Sequence, residues 1–179
     1  EYGTQNSVIT NIIDDKITLS AFLLSNEGES LVACAKKCAL ETSEAIMVLG
    51  NFAANLCKAS GGSGQSEING AKQSATSQAY FEIDAPFRAW LADLNAGSNV
   101  EVEINRWRRT ARSIIRANAS KLMQGLSPNA IVGAPVKGAA GRNAGWMTVS
   151  RAEAIFYDLL KKSLPLEEDG RKEEKEVCS

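Results

Sequence analysis

Apolar residues recur along this chain at alternating steps of four and three. From Glu29 to Ala59, Leu31, Ala35, Cys38, Thr42, Ala45, Leu49, Phe52 and Leu56 keep that rhythm. It is the 3.5-residue seam of a helix packed nearly parallel to its neighbours. Ser60-Gly61-Gly62-Ser63-Gly64 then stops the helix and supplies a turn. A second helix is predicted from about Glu67 to Leu94, with Tyr80, Ile83, Phe87, Trp90 and Leu94 on its inner side. Pro86 is expected to break or kink it near Asp84. Asn95-Ala96-Gly97-Ser98 closes it.

The third helix is predicted from about Asn99 to Leu126, with Ile104, Trp107, Ala111, Ile114 and Leu122 turned inward and Gly125 and Ser127-Pro128 marking its end. A loop with a Gly/Ala-rich core from Gly133 to Gly145 carries Lys137 and Arg142. Thr148 or Ser150 is expected to cap a fourth helix whose Ala152, Ile155, Phe156, Leu159 and Leu160 face the core, and Pro165 ends it. The first stretch does not join this pattern: Gly3 to Ser7 reads as a polar turn, and Ile17 to Leu24 as a strand or packed extended arm.

The predicted fold is therefore all-α, an antiparallel four-helix bundle with an extended N-terminal arm and a disordered C-terminal tail. The boundaries are residues 1–27 for the arm, 28–164 for the bundle and 165–179 for the highly charged tail. An arm placed ahead of a bundle, in a chain opening at Glu1 without Met, is expected of a fragment or processed product.

At 179 residues, 44% of them apolar and 23% charged, the chain has the composition of one soluble globular domain. It holds no histidine. That removes a Ser-His-Asp or Cys-His nucleophile system, a histidine-ligated metal and a histidine pH switch from this chain. No apolar run approaches a membrane span and no signal peptide is visible, so a cytoplasmic location without membrane contact is expected. Cys34 and Cys38 lie one helical turn apart, with Cys57 and Cys178 far downstream. Without a CxxC pair they read as unpaired thiols, Cys34 and Cys38 as small core residues, and no metal is expected.

The net charge of −1 conceals a strong asymmetry. Residues 1–103 carry 6 Lys/Arg against 13 Asp/Glu, whereas residues 104–152 carry 9 Lys/Arg and no acid. Within that acid-free stretch Arg108, Arg112 and Arg116 form one stripe at four-residue spacing, flanked by Arg106 and Arg109 and continued by Lys121. Like charges at this spacing repel. Two readings stand open: guanidinium groups arrayed for the phosphates of a nucleic acid or another anionic partner, or a face paired internally with acids such as Glu41 and Glu44. Lys137 and Arg142 extend the same charge into the loop.

Catalysis finds no support. Asp14-Asp15 and Glu167-Glu168-Asp169 fall in the arm and tail, and Gly61-Gly62-Ser63-Gly64 lacks the Gly-Lys-Ser/Thr of a P-loop. No cofactor is expected. Trp90, Trp107 and Trp146 read as core or loop packing residues.

The opening Tyr2-Gly3-Thr4-Gln5-Asn6-Ser7-Val8-Ile9, followed by an arm and this bundle, resembles the C-terminal part of the CasA-type large subunit of the type I-E CRISPR Cascade complex. Four further segments agree in order: Val48-Leu49-Gly50-Asn51-Phe52-Ala53, Phe87-Arg88-Ala89-Trp90-Leu91, Trp107-Arg108-Arg109-Thr110-Ala111 and Ser150-Arg151-Ala152-Glu153-Ala154. The likeness spans roughly residues 2–165. It implies a wedge at Gln5 and Asn6 that inserts at the first base pairs of target DNA, and a bundle that packs on the small subunits.

The same resemblance implies a non-catalytic subunit of an RNA-guided antiviral complex. Its partners would be the other Cascade subunits and guide RNA, target double-stranded DNA with its displaced single strand, and a recruited helicase-nuclease. The basic residues Arg106, Arg108, Arg109, Arg112, Arg116, Lys121, Lys137 and Arg142 are assigned to the nucleic-acid backbone from charge alone. The alternative is a helical protein–protein interaction domain without direct nucleic-acid contact.

Overall fold

The computed structural model describes residues 8–14, 28–59, 64–135 and 146–167. They form α1 (Val8–Asp14), α2 (Gly28–Ala59), α3 (Gln65–Asp93), α4 (Val100–Met123), β1 (Ile131–Pro135), β2 (Trp146–Thr148) and α5 (Val149–Ser163). The long helices α2–α5 make the antiparallel four-helix bundle. α2 is its spine and packs against α3, α4 and α5 in turn.

That central position explains the burial of α2. Every residue of its predicted seam is buried, and Cys34, Ala39, Ile46 and Ala53 are buried beside it. A helix with neighbours on several sides needs a stripe wider than a two-helix seam. Gly50 sits where α2 and α3 come closest. A Cβ there would stand 2.6 Å from Thr76 Cγ2 and 3.1 Å from Lys72 Cγ, so glycine's helix penalty is accepted for close packing.

α3 runs unbroken through Pro86, against the expected break near Asp84. Ile83, Phe87, Trp90 and Leu91 on either side of the proline are buried, and this packing holds the helix together across the missing N–H. The turn after α3 is closed locally. Asn95 N–H donates to Ser98 Oγ at 2.9 Å, Gly97 N–H to Asn95 Oδ1 at 2.9 Å, and Val102 N–H to the α4 N-cap Asn99 Oδ1 at 3.2 Å. Gly125, at φ 81°, ends α4 in the left-handed region that glycine favours.

The inner face of α4 is rotated from the expected one. Trp107, Ala111, Ile115, Asn118 and Ala119 are buried, while Ile104, Ile114 and Leu122 are only partly so. Asn118 is tolerated because its amide donates to the Ile114 carbonyl at 2.9 Å. On α5, Val149, Ala152, Phe156 and Leu160 are buried. Ile155 and Leu159, expected inside, are 40% and 41% exposed; four apolar positions already cover the stripe that α5 presents to α2.

Aromatic rings fill the centre. Phe87 meets Trp107 edge-on at 4.9 Å, Trp90 lies 5.6 Å from Trp107, and Phe52 stacks on Phe156 at 4.9 Å. Both indoles are satisfied: Trp90 Nε1 donates to the Glu103 carbonyl at 3.2 Å and Trp107 Nε1 to Thr42 Oγ1 at 2.8 Å. Thr42 in turn donates to the Cys38 carbonyl at 2.6 Å. Cys34 and Cys38 are buried and unpaired. The hydrogen bond between their side chains lowers the Cys34 thiol and, with burial, pushes Cys38 far up, so Cys38 remains a protonated core residue.

Two elements differ from the sequence expectation. The region after α4 contains an antiparallel hairpin, with Ile131 opposite Thr148 and Pro135 opposite Trp146. Such a ribbon is weak alone, and β1 leans on α2 with Val132 fully buried. It also feeds α5: Val149 N–H donates to the Ala130 carbonyl, Ser150 N–H to that of Pro128, and Arg151 N–H to the cap Thr148 Oγ1. In the expected arm, residues 8–14 are helical, and Val8, Ile9 and Ile12 are buried in the core. The predicted strand or packed extended arm at Ile17 to Leu24, the centre of the loop and the tail beyond Glu167 lie outside the described residues.

Candidate nucleic-acid interface

α4 places its arginines at four-residue steps on one side, but their head groups divide into two sets. Toward the N-terminal end they meet the protein's own acids. Arg106 Nη2 lies 2.8 Å from Glu103 and 3.9 Å from Asp93. Arg108 grips Glu41 with two parallel bonds, Nε to Oε1 at 3.0 Å and Nη2 to Oε2 at 2.5 Å, and both side chains are more than four-fifths buried. This fork-to-fork pair clips α4 to α2. In the last turn of α4, Lys121 also meets an acid, standing 3.7 Å from Glu82 across exposed surface.

Between these two ends, at Arg112 and Arg116, the partners change. Arg112 Nε donates to the Leu164 carbonyl at 2.7 Å and its Nη2 to that of Lys161 at 3.5 Å. It thus satisfies carbonyls that the last turn of α5 leaves open, where positive charge is favoured. Arg116 lies over the Tyr157 ring at 5.1 Å from its centroid. Arg109 is exposed on the same helix. Between α4 and α5 these groups form a notch of about 170 Å³ lined by Arg112, Arg116, Tyr157, Leu160 and Lys161. No carboxylate is among its described lining residues. The notch is smaller than usual small-molecule pockets, and suits one compact anionic group such as a phosphate.

A wider cleft of about 560 Å³ opens between α2, α3 and the end of α4, with Leu49, Leu56, Leu122 and Leu126 on its floor and Lys121 at its edge. Gln5, Asn6, Lys137 and Arg142 lie outside the described residues. Lys161 was absent from the predicted basic set because it follows Glu153 and Asp158 in sequence. The pair Lys161-Lys162 in the last turn of the fourth helix was its available signal.

The Arg108–Glu41 clip has a measurable consequence. Replacing Arg108 with alanine strands a largely buried carboxylate and is expected to cost about 2 kcal/mol in chemical denaturation. The cycle with Glu41→Ala isolates the pair. Additive single and double variants would mean that the clip contributes nothing.

The arrangement defines a class first: a four-helix bundle whose distinctive surface is a cationic junction between two of its helices. The family described as CRISPR-associated protein Cse1 matches residues 1–117, and the chain belongs to that family. The crystal structure of Thermobifida fusca Cse1 is similar to it at 25% identity and a TM-score of 0.51, the match covering 87% of this chain. The chain spans 25% of the length of that relative. Comparison with curated proteins gives no match.

Proposed function

We propose that this chain is the C-terminal bundle of a non-catalytic CRISPR Cascade large subunit, with residues 1–27 forming the junction to the rest of the protein. The bundle holds the displaced DNA strand during interference and supports recruitment of the helicase-nuclease. The observation that carries this reading is the convergence of Arg112, Arg116 and Lys161 on one notch. Guanidinium and ammonium groups around a phosphate-sized space match a phosphodiester backbone and carry no base preference. This suits a complex in which guide pairing reads the sequence. Arg109 continues the face along α4, and Lys137 and Arg142 are assigned to the same phosphate backbone from their charge alone. Arg106, Arg108 and Lys121 instead face the protein's own acids.

Gln5 and Asn6 form the wedge in this reading: amide side chains bond to exposed base edges as the first pairs unstack. In the assembled complex, Gln5→Ala with Asn6→Ala is expected to slow strand opening, reported by a fluorescent base at the first target pairs. Unchanged opening would remove the wedge role. A second reading, a protein-interaction domain without nucleic-acid contact, draws on the exposed pair Ile155 and Leu159 and on the Arg108–Glu41 clip. Filter binding of single-stranded DNA at low and moderate salt separates the two. Salt-sensitive retention supports the strand-holding role, and absence of retention at both salts supports the interaction domain.

A further inference from the structure

Helix α1 begins three residues after Gln5. Its first residue is tied to the middle of α3: Val8 N–H donates to Asp84 Oδ1 at 2.6 Å, across 76 positions of sequence. A helix's first N–H groups have no partner within the helix, and a side-chain oxygen of a flanking Ser, Thr, Asp or Asn commonly satisfies one of them. Here Asp84 of another helix supplies it. Its second oxygen accepts from Arg88 Nε at 3.0 Å, which fixes the carboxylate's orientation on α3. Below this bond Val8, Ile9 and Ile12 are buried against the bundle, with α1 touching both α2 and α3. The start of α1 is therefore held by one directed bond and by apolar packing.

We infer that Asp84 is a positioning residue for strand opening: it fixes the first turn of α1 on α3 and so makes the bundle the base from which Gln5 and Asn6 act. The inference rests on the wedge reading of those two amides. Three residues of chain reach at most about 10 Å, so an origin pinned at Val8 confines Gln5 to a short radius from α3. Without the bond, the first turn is free to fray, and the amides approach the duplex from a broader range of positions.

The test uses the complete large subunit in the assembled complex, with a fluorescent base at the first target pairs. Asp84→Ala removes the acceptor and is expected to slow opening several-fold, as Gln5→Ala with Asn6→Ala does, and the combined variant should be no slower than the slower of the two. Asp84→Asn keeps Oδ1 as an acceptor and should open at nearly the wild-type rate. Val8→Pro deletes the same bond from the donor side at the first helical position, where proline is tolerated. It should reproduce the Asp84→Ala loss without altering α3. Hydrogen exchange should rise in α1 of the Asp84→Ala protein and stay unchanged in α4 and α5.

Wild-type opening in both Asp84→Ala and Val8→Pro, alongside slow opening in the Gln5/Asn6 variant, would overturn the positioning role and leave the wedge intact. Wild-type opening in the Gln5/Asn6 variant would remove the wedge, and the inference with it. Equal slowing by Asp84→Asn and Asp84→Ala would assign the effect to lost charge and overturn the role of the hydrogen bond.

Discussion

Replacing Trp107 with alanine is expected to lower the stability of the bundle by about 4 kcal/mol, the largest single-residue effect in this fold. The indole is 1% exposed, contacts Phe87 and Trp90, and is hydrogen-bonded to Thr42 on α2. Truncation leaves a cavity where three helices meet and withdraws the only donor shown for Thr42 Oγ1. Neighbouring rings belong to rigid helices, so the space cannot close by a small shift. In a chain of this size such a loss lowers the melting midpoint by about 12 °C. Trp107→Phe keeps most of the ring area and loses the N–H; it should cost less than half as much. Equal midpoints for the alanine variant and the wild type would show that the three-ring cluster does not form the core.

The reason the α2 seam can be read in the sequence while the α4 seam cannot is physical. On α2 each position of the 3.5-residue repeat is apolar or small except Thr42, and its neighbours bury it from several sides, so identity and burial coincide. On α4, Ile114 and Ile115 are adjacent and equally apolar. Which of them faces inward depends on the rotation of the helix, and that rotation brings in Asn118, which periodicity of apolar residues passes over. The hairpin is hard to read for a different reason: Gly and Ala dominate its surroundings, and its strand-favouring residues, Ile131, Val132, Trp146 and Thr148, fall in two runs too short to show alternation. The short α1 offers Val8, Ile9 and Ile12 at helical spacing, but seven residues are too brief a run for periodicity to distinguish a helix from an arm.

The basic face was legible as charge and not as geometry. An acid-free stretch of 49 residues locates the cations, yet it does not say where their head groups go. Arg108 reaches Glu41 because α2 and α4 are neighbours, a contact separated by 67 positions. Arg112 ends on carbonyls because α5 finishes beside the middle of α4. Both destinations depend on packing, so the sequence kept the paired and the anion-facing readings open together. The structure divides them by residue: Arg108 belongs to the scaffold, while Arg116 and Lys161 border an open notch.

That division determines how the strand-holding role is best challenged. Reversing Arg108 would test folding, because its partner is a largely buried carboxylate. Reversing Arg112 would place a negative charge against the C-terminal carbonyls of α5, where it is unfavourable. Arg116 and Lys161 are exposed, and the double reversal Arg116→Glu with Lys161→Glu leaves both the clip and the α5 cap in place. In the assembled complex it is expected to weaken capture of displaced single-stranded DNA on the order of tenfold at moderate salt. It should also make the dependence of log affinity on log salt shallower by about 1.4, the loss of two single-strand phosphate contacts. Lys36→Glu with Lys37→Glu on α2 changes net charge equally and should leave that slope as in the wild type, because those lysines lie off the notch. A uniform loss of affinity in both double variants would assign the effect to overall charge. An unchanged salt slope in the Arg116/Lys161 variant would show that the notch holds no phosphate, and the strand would have to lie along another part of the surface.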